Sequence, residues 1–232
     1  MSKLTKTGGR RATLLLALAL LLGLTRALPA QEKAQSVAVT VKATGEVFLA
    51  AGGGKAEKAL TTGMRLGDGD RVRTGAEGRA VLVFTDDKSQ LKLTPATELV
   101  IHARRQGGRT DKEVEMSAGT LWSKVTRQQG EFRIATPTSV ASVKGTAWWT
   151  KTGEAGTTII TEEGIVGLLS KRTGESADVV MGMTGESDGD HSQVRETSAN
   201  DQQGLERGEL KRAVVPINDG DTQRELIIEY YE

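Results

Sequence analysis

The chain has 232 residues, 31 Lys and Arg against 30 Asp and Glu, 28 glycines, no cysteine and only 3% aromatic residues. The absence of cysteine excludes disulfides, thiol catalysis, cysteine-ligated zinc and a lipid-modified N-terminal cysteine, so the fold must rest on packing and backbone hydrogen bonds. Scarce aromatics leave the core to Val, Ile, Leu, Ala and Thr, a composition suited to thin layers of short strands.

At the N-terminus Lys3, Lys6, Arg10 and Arg11 precede an apolar run over residues 12–24, and the chain then reaches Leu28-Pro29-Ala30. Basic start, short apolar segment and small residue at the exit are the parts of a secretory signal peptide. The run falls short of the roughly 20 residues needed to span a bilayer. The sequence therefore predicts export, with cleavage after about Ala30; an uncleaved anchor is the alternative. Ala12-Thr13 after the Arg10-Arg11 pair favour the general secretory route over a twin-arginine one. Residues 1–30 hold five of the basic residues and no acidic ones, leaving 26 basic against 30 acidic, a net of −4. A mildly acidic exported domain has no electrostatic footprint for nucleic acid, and no integral membrane span is expected after cleavage.

From residue 36 to 183 the pattern has period two. Val37, Val39 and Val41 alternate with small or polar neighbours, and similar runs follow at 64–66, 81–84, 91–93, 99–101, 121–125, 132–134, 148–150, 157–160 and 165–169. Glycine-rich turns separate them, among them Gly67-Asp68-Gly69-Asp70 and Gly107-Gly108. Many short strands at this spacing predict an all-β fold of two packed sheets, a bent β-solenoid or a sandwich. Within it, residues 136–149 (Thr-Pro-Thr-Ser-Val-Ala-Ser-Val-Lys-Gly-Thr-Ala-Trp-Trp) read as two short strands joined at a tight bend at Gly145. A faint repeat relates Arg71-Val-Arg-Thr-Gly75 and the strand from Gly78 to Phe132-Arg-Ile-Ala-Thr-Pro137 and the strand from Gly145, hinting at stacked coils of sheet.

After Gly185 the composition turns polar, so residues 184–205 are expected to form a linker. Residues 206–232 should hold a short polar helix near 205–211 and a β-hairpin turning at Asn218-Asp-Gly220. A lone hairpin is marginal in water, so this one is expected to dock on the main domain or on a partner.

Several of these segments, in order, resemble the FecR-type periplasmic domain over roughly residues 39–183. Gly63-Met-Arg-Leu-Gly-Asp-Gly-Asp-Arg-Val-Arg-Thr-Gly75 is similar to the family's "G…L..GD.I.TG" turn. Arg79-Ala-Val-Leu-Val-Phe84, the segment 91–99 with Pro95, and Gly119-Thr-Leu-Trp122 look like the strands that follow. Residues 136–148 resemble its best-marked motif, "TP.a.a.VRGT.F", and Glu163-Gly-Ile-Val166 continues the series. Lys144 stands where the family usually has arginine, Trp148 where it has phenylalanine, and Asp87-Lys88 replaces the glycine of a "DGS" turn. Family members that regulate sigma factors carry an N-terminal cytoplasmic helical domain and a transmembrane helix, where this chain shows a signal peptide. The resemblance thus implies the fold and an envelope setting, and not transmembrane signalling by this chain itself.

Candidate binding residues are Trp122, Trp148 and Trp149, whose indole faces suit sugars or peptides, and Lys144. Adjacent Trp148 and Trp149 must point to opposite faces of a strand. The bland alternative has one in the core and the other covering a sheet edge or the C-terminal hairpin. For Lys144 the alternative is a carboxylate partner inside the fold. Asp-Gly-Asp at 68–70, 188–190 and 219–221 reads as turn chemistry, without the ligand number of a calcium site. His102 and His191 lack ligand partners at helical spacing, and Ser139 and Ser142 lack a nucleophile elbow. No catalytic set, metal site or cofactor is predicted. The expectation is a non-enzymatic binding or scaffolding module of the cell envelope, in the periplasm or otherwise exported. Its expected partner is an envelope protein or a cell-wall glycan. The alternative is a sensor or regulator acting through a separate membrane transducer, in sigma-factor-linked signalling.

Overall fold

The computed structural model describes residues 36–127, 130–219 and 222–231. The leader expected at 1–30 lies outside the described residues, as do Gly220 and Asp221 of the C-terminal turn.

Seventeen strands, β1 to β17 in chain order, form one hydrogen-bonded network folded into two layers. Sheet A holds β1 (Ala38–Thr44), β4 (Arg65–Leu66), β6 (Arg79–Phe84), β7 (Gln90–Leu93), β12 (Thr146–Gly153), β13 (Gly156–Glu163), β16 (Met183–Ser187) and β17 (Ser192–Glu196). Sheet B holds β2 (Val47–Ala50), β3 (Glu57–Ala59), β5 (Asp70–Thr74), β8 (Glu98–Gln106), β10 (Phe132–Ala135), β11 (Ser139–Val143), β14 (Ile165–Ser170) and β15 (Ser176–Val180). The long strand β9 (Arg109–Val125) belongs to both. Its first half pairs with β8 and runs parallel to β10; its second half pairs with β7 and β12.

The strand changes layers at Gly119. That residue has φ +106°, and a Cβ there would lie 2.4 Å from Thr97 Oγ1 and 2.5 Å from Thr97 Cα. Only glycine meets both demands. Hairpins are then laid alternately on the two layers, β10–β11 on B, β12–β13 on A, β14–β15 on B and β16–β17 on A. The faint sequence repeat corresponds to two crossings from B to A, β5 to β6 and β11 to β12; the second half carries an additional strand.

Strand periodicity explains the core. Ala80, Leu82 and Phe84 of β6 point inward, as do Leu99 and Ile101 of β8 and Val114 and Met116 of β9. Through the middle, Phe84 meets Phe132 edge-to-face at 5.8 Å and Phe132 meets Trp148 at 6.2 Å. Buried apolar area of this kind contributes about 25 cal/mol per Å².

Residues 136–149 fold as predicted, as β11 and β12 joined at Gly145, whose φ is +148°. The two strands enter different sheets, so the bend is a crossing between layers. The Thr-Pro step that opens the segment is a side-chain-capped turn. Thr136 Oγ1 accepts from the Ser139 amide (3.0 Å), the Thr136 amide donates to Ser139 O (2.9 Å), and the Thr136 and Thr157 hydroxyls lie 2.7 Å apart.

The polar segment after Gly185 is ordered, in contrast to the linker expected there. It forms β16, β17 and a helical turn, α1 (Ala199–Gln202), capped by Ser198. Arg195 holds it together through hydrogen bonds to Glu186 Oε1 (2.5 Å) and to Asp201 Oδ2 and Oδ1 (2.6 and 2.8 Å). Backbone pairing and ion pairs thus replace the missing apolar content. The helix expected near 205–211 is absent; β18 (Leu210–Asp219) begins there and pairs with β19 (Thr222–Tyr231) as the predicted hairpin.

The hairpin docks on the outer face of sheet A. Val215, Ile228 and Tyr230 pack on Val39, Val41, Val81 and Val83, while Leu205 and Tyr231 pack on Trp122, Ala147, Trp149 and Ile160. Gln90 Nε2 donates to Glu229 O at 2.5 Å, and the Lys92 ammonium donates to Glu206 O and Arg207 O at 3.0 and 3.1 Å. Burial, with Arg79 and Lys42 nearby, pushes the Lys92 pKa down. No helix among the described residues is long and apolar enough to cross a membrane.

Candidate binding face

The three tryptophans are enclosed. Trp148 lies in the central core at 0% exposure, and Trp122 and Trp149 lie under the hairpin at 1% and 2%. Their neighbour Glu162 accepts from both outer indoles, Trp149 Nε1 at 2.8 Å and Trp122 Nε1 at 3.0 Å. Tyr231 meets the Trp122 ring edge-on at 5.2 Å, and Arg207 and Lys124 lie over the Tyr231 ring at 4.8 and 5.3 Å. This cluster fastens the C-terminal segment. Nothing in the sequence around Glu162 marks it, because only strand register brings β12, β13 and β9 together there.

Lys144 is exposed at the end of β11 and forms no ion pair among the described residues, so the expected internal carboxylate partner is not there. A lysine with internal carboxylate partners is instead Lys112, whose buried ammonium reaches Asp86 Oδ1 (2.9 Å) and Asp87 Oδ2 (2.6 Å). Burial raises the Asp86 pKa, but the Lys112 hydrogen bond and charge outweigh it and hold the carboxyl below its usual range.

Two of the Asp-Gly-Asp segments are turns. Asp70 accepts from the Gly52 and Gly67 amides (2.9 and 2.8 Å), and Asp188 accepts from the Asp190 and His191 amides (2.8 and 2.7 Å). The third includes residues outside those described. His102 lies between Asp68 (3.8 Å) and Glu115 (3.6 Å). Among the described residues no group of three His, Asp or Glu side chains is placed to hold a metal ion.

The two outer faces of the molecule differ. That of sheet A is covered by the hairpin. That of sheet B is open and changes character along its length. Over β2, β3, β5 and β8 it is a ladder of charges, with Arg73 2.6 Å from Glu57, and Arg71 3.5 Å from Glu57 and 3.8 Å from Glu98. The hydrogen bond from Arg73 holds Glu57 below the usual carboxylate range. Over β10, β11, β14 and β15 it becomes apolar, with Ile165 52%, Leu169 40% and Val180 43% exposed. A groove of about 950 Å³ crosses this part, lined by Val140, Ser142, Lys144, Ile165, Gly167 and Leu169 among others. Register sets the groove: Gly167 lies opposite Ser142 on one side and Asp178 on the other, and Ser142 lies opposite Arg133. The available sequence signal was Gly167 itself, a glycine interrupting the apolar strand Ile165-Val-Gly-Leu-Leu169, which marks a place of close approach.

No curated protein matches the chain significantly. Among solved structures, two crystal structures of a candidate anti-sigma factor from Parabacteroides distasonis ATCC 8503 are similar. One has 13% identity and a TM-score of 0.45, the other 12% and 0.47, each covering 57% of this chain. This chain spans 61% of that protein's length. The model of the family described as FecR protein matches residues 70–167, from the start of β5 to the groove glycine of β14. The match takes in the groove strands β10 and β11, the crossing at Gly145 and the Thr136 turn, so residues 70–167 are similar to a FecR-type domain.

Proposed function

We propose that this chain is a non-catalytic regulatory domain of the cell envelope that acts by binding a protein partner through the outer face of sheet B. The observation that carries this reading is the asymmetry of the two faces. One apolar face is sealed by the chain's own hairpin, while the other stays exposed, from Ile165 inside the segment matching the FecR family to Leu169 and Val180 beyond it. Monomeric proteins rarely leave contiguous apolar surface without use. Export by the segment 1–30 would place the domain in the periplasm, where a separate membrane transducer would pass the signal on, in the manner of sigma-factor-linked regulation. This sensor reading is favoured over a passive scaffold by the family match. A glycan role for Trp122 and Trp149 would require the hairpin to lift from sheet A.

The test is photo-crosslinking in intact envelopes, with the reactive group at Lys144 or Ile165 and a control at Glu57 on the charged ladder. Capture of one defined envelope protein from the first two positions and not from the control is expected. Equal labelling of many proteins from all three positions would refute a dedicated face.

A further inference from the structure

The groove on sheet B has ends of opposite charge, and this narrows what it can accept. It runs across four strands, from Asp178 on β15 over Gly167 and Ser142 to Arg133 on β10. Three strand spacings make it about 14 Å long. Ile165 and Val180 line one side and Leu169 and Val140 the other, and Lys144 follows Ile165 along the first. Asp178 is exposed and has no ion pair among the described residues. Arg133 is exposed and shared with Glu131.

Gly167 is what keeps the groove open. Its backbone is not in the left-handed region, and a Cβ there would meet only Ser142 O at 3.6 Å and Asp178 Oδ1 at 3.9 Å, ordinary contacts. The fold itself does not require glycine here, and glycine in a strand interior costs stability relative to a β-branched residue. The missing side chain therefore serves the groove.

We infer that this groove takes an extended segment of a protein partner bearing one basic and one acidic residue four positions apart, with an apolar residue midway between them on the same face. Four residue steps of extended chain span about 13 Å, matching the distance between the charged ends. The basic residue meets Asp178, the acidic one meets Arg133 with Lys144 nearby, and the apolar side chain midway lies between Ile165, Leu169 and Val140. The inference rests on the proposed reading of this face as a protein-binding surface.

The probes are three capped five-residue peptides, Lys-Thr-Val-Thr-Glu, Lys-Thr-Val-Thr-Lys and Glu-Thr-Val-Thr-Glu, titrated by NMR at low salt into the full isotopically labelled chain. The mixed-charge peptide should bind about tenfold more tightly than either other peptide and shift the amides of Ser142, Gly167 and Asp178. Gly167→Ile should abolish this binding while the thermal midpoint holds or rises; Ser142→Leu fills the same groove from the next strand and should act alike. Asp178→Lys should transfer the preference to the di-acidic peptide. Indifference to charge pattern, absence of binding by all three peptides, or unchanged binding by both groove-filling variants would overturn the inference. If crosslinking captures a partner while the peptides fail to discriminate, the charge-ended groove is wrong and the binding face stands. If crosslinking yields only a dimer of this chain, the partner is a second copy and the inference is overturned.

Discussion

Glu162 offers the sharpest test of how the C-terminal segment is held. Its two oxygens accept the indole N–H groups of Trp122 and Trp149 at 3.0 and 2.8 Å, and both rings are at most 2% exposed. Hydrogen bonds to a charged group contribute about 1.5–3 kcal/mol each, and a buried donor left without a partner costs about 1–3 kcal/mol. The Glu162 side chain is 30% exposed, so water can reach part of the vacated space and the lower half of the range applies. Glu162→Leu should therefore cost about 2–4 kcal/mol, and Glu162→Gln, which keeps one acceptor, about 1–2 kcal/mol. For a domain of this size 1 kcal/mol corresponds to about 2–4 °C in midpoint, so Glu162→Leu should melt roughly 4–16 °C lower. Urea unfolding followed by tryptophan fluorescence gives the free energies directly, since two of the three reporters are the rings in question. Amide exchange should show the hairpin loosening first, because Tyr231 packs on Trp122. A Glu162→Leu loss below about 0.5 kcal/mol would refute the view that the paired indoles depend on this carboxylate.

Three further outcomes are expected. Lys88 sits at φ +63°, in the turn where the resembling family has glycine; Lys88→Gly should raise stability by about 0.5–1 kcal/mol in urea melts, and a loss would show that the Lys88 ammonium contact with Thr85 O outweighs the strain. Lys112→Met removes the buried cation between Asp86 and Asp87 and leaves two neighbouring carboxylates; because both are partly exposed, the expected cost is about 2–3 kcal/mol, below that of a fully buried pair. The Asp201 carboxyl is held well below the usual range, first by the hydrogen bonds from Arg195. Its contribution is full above the ordinary value of 3.8 and disappears as pH falls through the depressed one. Midpoints measured from pH 6 down to pH 2 should therefore fall less steeply in Asp201→Asn than in the parent chain, and parallel curves would sink this assignment.

Much of the architecture was legible in the residues because a strand exposes its periodicity. Val37, Val39 and Val41 announced β1, and the small residues around Gly145 announced two strands with a bend. The C-terminal hairpin was legible for a similar reason, since Asn218-Asp-Gly220 lies between two apolar runs. The ordered segment at 183–202 was not, because its strands bring only Met183 and Val194 to the core and are otherwise held by pairing with β13 and by the Arg195 ion pairs. Composition measures apolar burial, and this segment depends on it only through those two side chains. Lys144 stayed undecided for a related reason: a cation next to small residues reads equally as buried or as exposed until a sheet assigns it a face.

The sequence by itself determined an all-β chain with turns at its glycines, a hairpin at its end, and a central segment of recognisable family pattern. Those properties are local, set by side-chain alternation and by backbone freedom at single residues. Tertiary structure alone decided that β11 and β12 enter different layers, and that Trp122 and Trp149 share the carboxylate of Glu162. It also decided that the hairpin closes sheet A, leaving a charge-ended groove on sheet B. Each of these depends on register between strands far apart in the chain. A shift of one residue would turn every side chain to the opposite face without altering the pattern along any single strand.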